Sequence, residues 1–228
     1  MSENRLQIGY DCDGVLYRYQ EMFTKLLCNA DKITSREEET MNFSTNWKFY
    51  EEIDWDDDEY HMWMQWAIKK DLYCQEAISS ANAQQLRDTQ EYGDLSLVTA
   101  RDFSNYPLDI RHYAFDQTHR WVADARNHGV SFRSVLILRN KTLAPVDIML
   151  DDCAANCEDM LISGCMLPVL LNRPGNSESD YPLRVDSVEE YSAICEAAAS
   201  YDDPFVEWIE PMISDVITKR KAARLVTT

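Results

Sequence analysis

The sequence predicts an α/β fold: a doubly wound, five-stranded parallel sheet with a small helical cap inserted after the first strand. Three observations predict it. Five short runs are apolar almost from end to end, the pattern of parallel strands covered on both faces. Helical stretches closed by glycine separate the later runs, and strand–helix–strand order with right-handed crossovers gives an open, Rossmann-like sheet. The first connection breaks this rhythm. Roughly 80 residues lie between the first two runs, far more than one crossover helix needs, so an inserted subdomain is implied.

In chain order, the strands are expected at "LQIGY" (6–10), "LSLVT" (95–99), "SVLIL" (134–138), "VDIML" (146–150) and "MLPVLL" (166–171). A core domain is expected over 1–17 and 93–201, with the cap over 18–92. Within the cap, Leu16, Tyr19, Phe23, Leu26, Leu27 and Ala30 fall on one helical face. The segment 56–73 starts acidic and carries lysines near its end, which suits a helix dipole; Trp63, Trp66 and Ala67 share a face there. Four of the six tryptophans (Trp47, Trp55, Trp63 and Trp66) lie in this insertion. Helices are expected at 107–129 and 153–164, each closed by glycine. The tail from 202 to 228 reads as an amphipathic helix that starts at Asp203-Pro204 and is kinked by Pro211. Phe205, Trp208, Ile209, Met212, Ile213 and Val216 share its apolar side, which either packs on the core or mediates a homodimer.

Composition narrows the function. Against 22 basic residues stand 40 acidic ones, a net charge of −18 that makes extended nucleic acid a poor partner. A small phosphorylated substrate, held by a metal and one or two positive side chains, remains compatible with that charge. No run is long enough to span a bilayer, and the first residues show no secretory pattern, so no membrane association and a cytoplasmic location are expected. Seven scattered cysteines, of which Cys153 and Cys157 are the closest pair, read as reduced side chains and not as a zinc site.

The chemistry gathers where the predicted strands end. The first ends in Asp11 and Asp13, the second in Thr99 followed by Ala100-Arg101, the fourth in Asp151-Asp152; Asn140-Lys141 follows the third. In open parallel sheets ligands bind at the carboxyl ends of the strands, so the topology brings these groups to one edge. Taken singly, each has an ordinary explanation as a helix cap, a turn or a solvated loop residue. Together they form a different object. Carboxylates that would repel one another are tolerated around a hard cation such as Mg²⁺, which takes oxygen ligands. Thr99 and Lys141 can then cradle phosphate oxygens, and a free carboxylate facing the phosphorus is placed for in-line attack.

The segments "DCDGVL", "LVTARD" and "NKTLAPVDIMLDD" resemble, in order, the four motifs of the haloacid-dehalogenase-like phosphatases. The close spacing of the third and fourth is similar to the 5′(3′)-deoxyribonucleotidase branch. The resemblance covers most of residues 6–172. It implies a Mg²⁺-dependent phosphomonoesterase that works through an aspartyl-phosphate and acts on a nucleoside 5′-monophosphate, with a preference for deoxyribose. Asp11 would be the nucleophile, and Asp13 would protonate the leaving oxygen and later activate water. Thr99 and Lys141 would hold the phosphate. The metal would lie on Asp11, the main-chain carbonyl of Asp13 and Asp152, with Asp151 a close neighbour. Tyr19 and Trp47 occupy positions that pack on the base in that branch, although both could equally be cap core. Ala100-Arg101 departs from the Ser-Pro of some relatives, and Arg101 is a candidate phosphate or substrate contact. The segment "CQEAISSANA" (74–83) departs as well, which bears on the substrate pocket. The alternatives are a phosphatase for another small metabolite and a binding protein that has given up turnover.

Overall fold

The computed structural model describes residues 5–199 apart from residues 102 and 165, so the expected helix at 202–228 lies outside the described residues. The sheet is parallel throughout. It has six strands in the order β3-β2-β1-β4-β5-β6: β1 (Leu6–Tyr10), β2 (Gly93–Thr99), β3 (Phe132–Ile137), β4 (Ile148–Asp151), β5 (Leu167–Leu171) and β6 (Arg184–Val185). The five expected strands are present within a few residues of their predicted bounds. The sixth corrects the predicted count. It is a two-residue edge strand with no apolar run to announce it.

Burial follows position in the sheet. All of β4 and β5 is buried, and so are the last three residues of β1 and the last five of β2. β3, at the edge, keeps most of its residues partly exposed. The chain runs outward from β1 to β2 and β3, then returns to the other side of β1 for β4, β5 and β6. That reversal leaves a crevice beyond the ends of β1 and β4, the switch point where such sheets bind ligands.

Between β1 and β2 lie α1 (Tyr19–Asn29), α2 (Ser35–Asn42), α3 (Asp57–Ile68) and α4 (Ser80–Thr89), with single-turn 3-10 segments at Phe49–Ile53 and Leu72–Cys74. Local chemistry sets their starts. Thr34 and Glu37 form a reciprocal capping box on α2, and the Asp56 carboxylate accepts the Glu59 N–H at 2.8 Å to cap α3. Helix α1 starts at Tyr19, so Leu16 packs from the preceding loop and not from the helix face expected of it. In α3 Met64, Ala67 and Ile68 are buried, and Trp63 and Trp66, on the face they share with Ala67, pack partly buried against the core. Helices α2 and α3 pack on α1, whereas α4 packs on β2 and on α7 (Val188–Ala199). The Thr89 hydroxyl of α4 donates to Ser192 of α7 at 2.8 Å.

Beyond β2, α5 (Leu108–Asn127) and α6 (Ala154–Ser163) are the two expected helices. Gly164 ends α6 in the left-handed region at φ +66°, a conformation that costs other residues strain. Among the described residues, no helix is long and apolar enough to cross a membrane.

Candidate active site

Strand β1 delivers the first carboxylate. Beyond Tyr10 the Asp11 N–H still reaches the β4 carbonyl of Leu150 at 2.8 Å, so the ladder persists one residue past the strand and fixes the Asp11 backbone. A tight loop comes next, in which the Cys12 carbonyl accepts the N–H groups of Leu16 and Tyr17 at 2.9 and 2.8 Å. Gly14 within it has φ +76°, and a Cβ there would meet Asp152 Oδ2 at 1.8 Å. Only glycine lets the loop lie this close to Asp152.

The Asp11 carboxylate is buried. Its Oδ1 accepts the Cys12 N–H at 2.7 Å and its Oδ2 pairs with Lys141 Nζ at 2.7 Å. Lys141 comes from the single-turn helix Lys141–Leu143, which is capped by the Asn140 side chain accepting the Thr142 N–H at 3.0 Å. The Lys141 side chain is 3% exposed, and its ammonium also reaches Asp151 Oδ2 at 2.7 Å. Asp151, fully buried at the end of β4, takes the Cys153 N–H on Oδ1 at 2.8 Å and the Asn156 amide at 3.3 Å. Its carboxylate is thus engaged on both oxygens, and Asp152 is the one that faces the Gly14 loop.

Thr99, the last residue of β2, is buried, and its Oγ1 has no hydrogen-bond partner. An orphaned hydroxyl beside buried charges points to a ligand oxygen. Asp13 is placed differently from the other carboxylates. Its two oxygens are held by Arg101, at 2.9 Å from Nε and 2.6 Å from Nη2. Ala100 is exposed. Tyr19 is partly buried: its hydroxyl lies 2.5 Å from that of Tyr60, and its ring is near those of Phe23, Phe49 and Tyr73. Trp47 is 56% exposed and lies alongside Gly175, beyond the end of β5.

Sequence reasoning stopped at four strand ends and missed the turn beyond β5. There Arg173 donates from Nε to the Gly14 carbonyl at 2.7 Å. The Asn176 amide donates to the main-chain carbonyls of Asp152 and Leu171, at 2.8 and 2.7 Å, and ties Asp152 to the sheet. The signal was available, since reading one further strand end would have reached "NRPGN" (172–176).

Electrostatically the carboxylate cluster is short of positive charge, with Arg101 taken up by Asp13. Asp11, Asp151 and Asp152 offer carboxylate oxygens all within 4.8 Å of one another, and among the described residues Lys141 alone bonds into this cluster with an ammonium. Burial pushes the Asp11 carboxyl up to about 7, with Asp151 and Asp13 adding to the rise and Lys141 opposing it. Burial, then Asp11 and Asp151, push Asp152 well above the usual carboxylate range. Burial alone would lower Lys141, but the Asp11 and Asp151 charges outweigh it and hold the ammonium protonated. An all-oxygen donor set that is short of positive charge suits a hard divalent cation. The cluster does not include the Asp13 carboxylate, whose two oxygens are taken by Arg101.

These shifts have a measurable consequence. Asp11 rises from an ordinary 3.8 to about 7 on folding, so between those values the folded state binds more protons than the unfolded state. Stability of the metal-free protein should therefore fall as pH rises through that window. Melting temperatures in a chelator from about pH 5 to about pH 7.5 should show the decline, and Asp11→Asn, which cannot titrate, should flatten it. An equal slope in both proteins would count against the buried carboxylate.

The model of the family described as "5′ nucleotidase, deoxy (Pyrimidine), cytosolic type C protein" matches residues 4–200. No curated protein matches the chain. Among solved structures, a haloacid-dehalogenase-like hydrolase from Burkholderia xenovorans is similar at 10% identity and a TM-score of 0.48, over 83% of this chain and 98% of its own. A HAD-superfamily hydrolase from Geobacter sulfurreducens gives 11% identity and 0.48, over 85% and 98%. A HAD hydrolase from Bacillus subtilis, described as bound to magnesium, gives 11% and 0.49, over 85% and 100%.

Proposed function

The chain belongs to the cytosolic type C family of deoxy-pyrimidine 5′-nucleotidases, and from that premise we propose that it is a Mg²⁺-dependent phosphatase of nucleoside 5′-monophosphates that works through an aspartyl-phosphate. Family membership makes it a phosphoric monoester hydrolase; the finer reading rests on the site. The observation that carries it is the grouping of buried Asp11, the Lys141 ammonium on it at 2.7 Å and the unpartnered Thr99 hydroxyl.

In this reading Asp11 forms a bond to phosphorus as the ester P–O bond breaks, and Asp13 gives its proton to the departing oxygen. Water then attacks the phosphorus of the aspartyl-phosphate and passes a proton back to Asp13, which releases inorganic phosphate and restores Asp11. Thr99 and Lys141 hold the non-bridging oxygens. Asp151 keeps Lys141 in place. Asp11, Asp152 and the Asp13 main-chain carbonyl would hold Mg²⁺, whose chemistry is to neutralise the charge that accumulates between carboxylates and phosphate. Helices α1–α3 and the segment up to Cys74 would act as the cap over this edge of the sheet.

Phosphate release from a panel of deoxy- and ribonucleoside monophosphates and sugar phosphates, with and without Mg²⁺, tests the proposal. Turnover confined to sugar phosphates would replace the nucleotide reading with another metabolite. Release that ignores a chelator would remove the metal.

The two aromatic candidates should separate. Base–aromatic stacking is worth about 1–3 kcal/mol, so Trp47→Ala should lower kcat/KM for a deoxynucleotide by about fivefold or more, and by about tenfold or more in the upper half of that range. p-Nitrophenyl phosphate has no base to stack and should lose little, and the exposed position of Trp47 predicts an unchanged melting temperature. Tyr19→Leu deletes the Tyr60 contact and should lower stability as well. Parallel losses on both substrates in Trp47→Ala would remove the stacking role.

A further inference from the structure

Arg101 is held from three sides. Nε and Nη2 fork on to Asp13, Nη1 donates to Thr118 Oγ1 of α5 at 3.2 Å, and the guanidinium carbon lies 3.8 Å from the ring centroid of Tyr73. Tyr17 supplies a second ring at 5.3 Å. The Arg101 side chain is 1% exposed, whereas that of Asp13 is 28% exposed. The buried partner is thus a fixture, and the more open one stays accessible. Thr118 is anchored in turn, donating to the Ala114 carbonyl at 2.8 Å, and the Tyr73 N–H is fixed by the Gln117 side chain at 3.0 Å. Such a rigid planar fork sets the orientation of a carboxylate, which a lysine ammonium cannot do.

We propose that Arg101 is a positioning residue that acts through Asp13, aiming its carboxyl group for proton delivery to the leaving oxygen, and that it does not contact the substrate phosphate. The inference rests on the phosphatase reading above and adds to it a residue with a defined task. Arg101 occupies one lone pair on each Asp13 oxygen. The remaining lone pairs point away from the guanidinium, and one of them carries the proton that moves to the ester oxygen as the P–O bond breaks. In the second half the attacking water returns a proton to that position. Without the fork, Asp13 rotates and delivers its proton from a spread of poses.

The test exploits leaving groups. An alkyl alcohol leaves poorly unless protonated, whereas p-nitrophenolate leaves without a proton. A positioned general acid contributes about a hundredfold or more, so Arg101→Gln should cut kcat/KM, which reports only the steps up to leaving-group departure, by about that factor on a deoxynucleoside monophosphate and by about threefold or less on p-nitrophenyl phosphate. The shared hydrolysis of the aspartyl-phosphate also slows, so kcat should fall on both esters, and KM should rise on neither. Arg101→Lys keeps the charge but loses the fork, and should show the same selectivity. Because Arg101 acts through Asp13, Arg101→Gln combined with Asp13→Asn should be no worse on the nucleotide than Asp13→Asn alone.

Equal losses on both esters with raised KM would put Arg101 on the phosphate and overturn the proposal. Additive losses in the double variant, or parallel losses that track a fallen melting temperature, would overturn it as well. If the wild-type protein hydrolyses other alkyl phosphates but no nucleotide, the nucleotide reading alone fails and the same comparison is made on those esters. A wild-type protein that releases phosphate from no ester sinks both.

Discussion

Asp11→Asn should lose at least about four orders of magnitude in phosphate release on every ester, because an amide cannot attack phosphorus. The substitution keeps the shape and one acceptor oxygen, so the Cys12 N–H that Asp11 accepts at 2.7 Å can retain its partner. Lys141 loses one of its two carboxylates and keeps Asp151. Removing one of three crowded buried charges relieves repulsion, so the metal-free variant should melt no lower than wild type near neutral pH, and higher above it. Single-turnover assays with radiolabelled phosphate should show no protein-bound label in the variant. Wild-type turnover in a clean preparation would end the covalent mechanism.

Lys141→Met should be the most damaging single change to both stability and activity. It leaves Asp11 and Asp151 buried with no cation between them, and breaking a buried ion pair by removing one partner costs about 3–5 kcal/mol. Denaturant unfolding in a chelator should show a loss of that order. Mg²⁺ should recover part of the stability, since it supplies positive charge to the same carboxylates. It should not recover turnover if Lys141 is, as proposed, the group that holds the phosphate oxygens. A variant that Mg²⁺ restores in both respects would make Lys141 a mere counter-ion. One with wild-type stability in the chelator would mean the ammonium is not buried as described.

How much of this was legible before the structure depended on whether the information was local. The runs at 6–10, 95–99 and 166–171 announce their strands because buried parallel strands need apolar residues at every position, and their ends identified Asp11 and Thr99. The glycine after α6 marked its end for an equally local reason. β6 was not legible because Arg184-Val185 carries no pattern and pairs only because β5 offers an open edge. Helix α4 read as part of the insertion, and only its packing on α7 and β2 ties it to the sheet. In the site, the residue types were visible but not their partners. Nothing in "TARD" says that the Arg101 fork turns back on to Asp13, 88 positions earlier. Asp151 and Asp152 are adjacent and alike in sequence, yet one is consumed by Lys141 and Asn156 while the other faces Gly14.

The strand order has a consequence for how the molecule is assembled. β1 leaves the ribosome before the other five strands of the sheet and ends up in its interior, between β2 and β4. Its flank on one side arrives 87 positions later, where Gln7 meets Asp94, and on the other 140 positions later, where the Gln7 N–H meets Asp147 at 2.7 Å. Until β2 arrives both edges of the segment that carries Asp11 are bare, and one stays bare until β4; chains whose contacts are this distant fold slowly and expose sticky intermediates on the way. A nascent chain cut short before β4 holds Asp11 without Asp151 or Asp152. The carboxylate cluster has no partial form, and it assembles only where synthesis reaches β4 before the waiting strand aggregates.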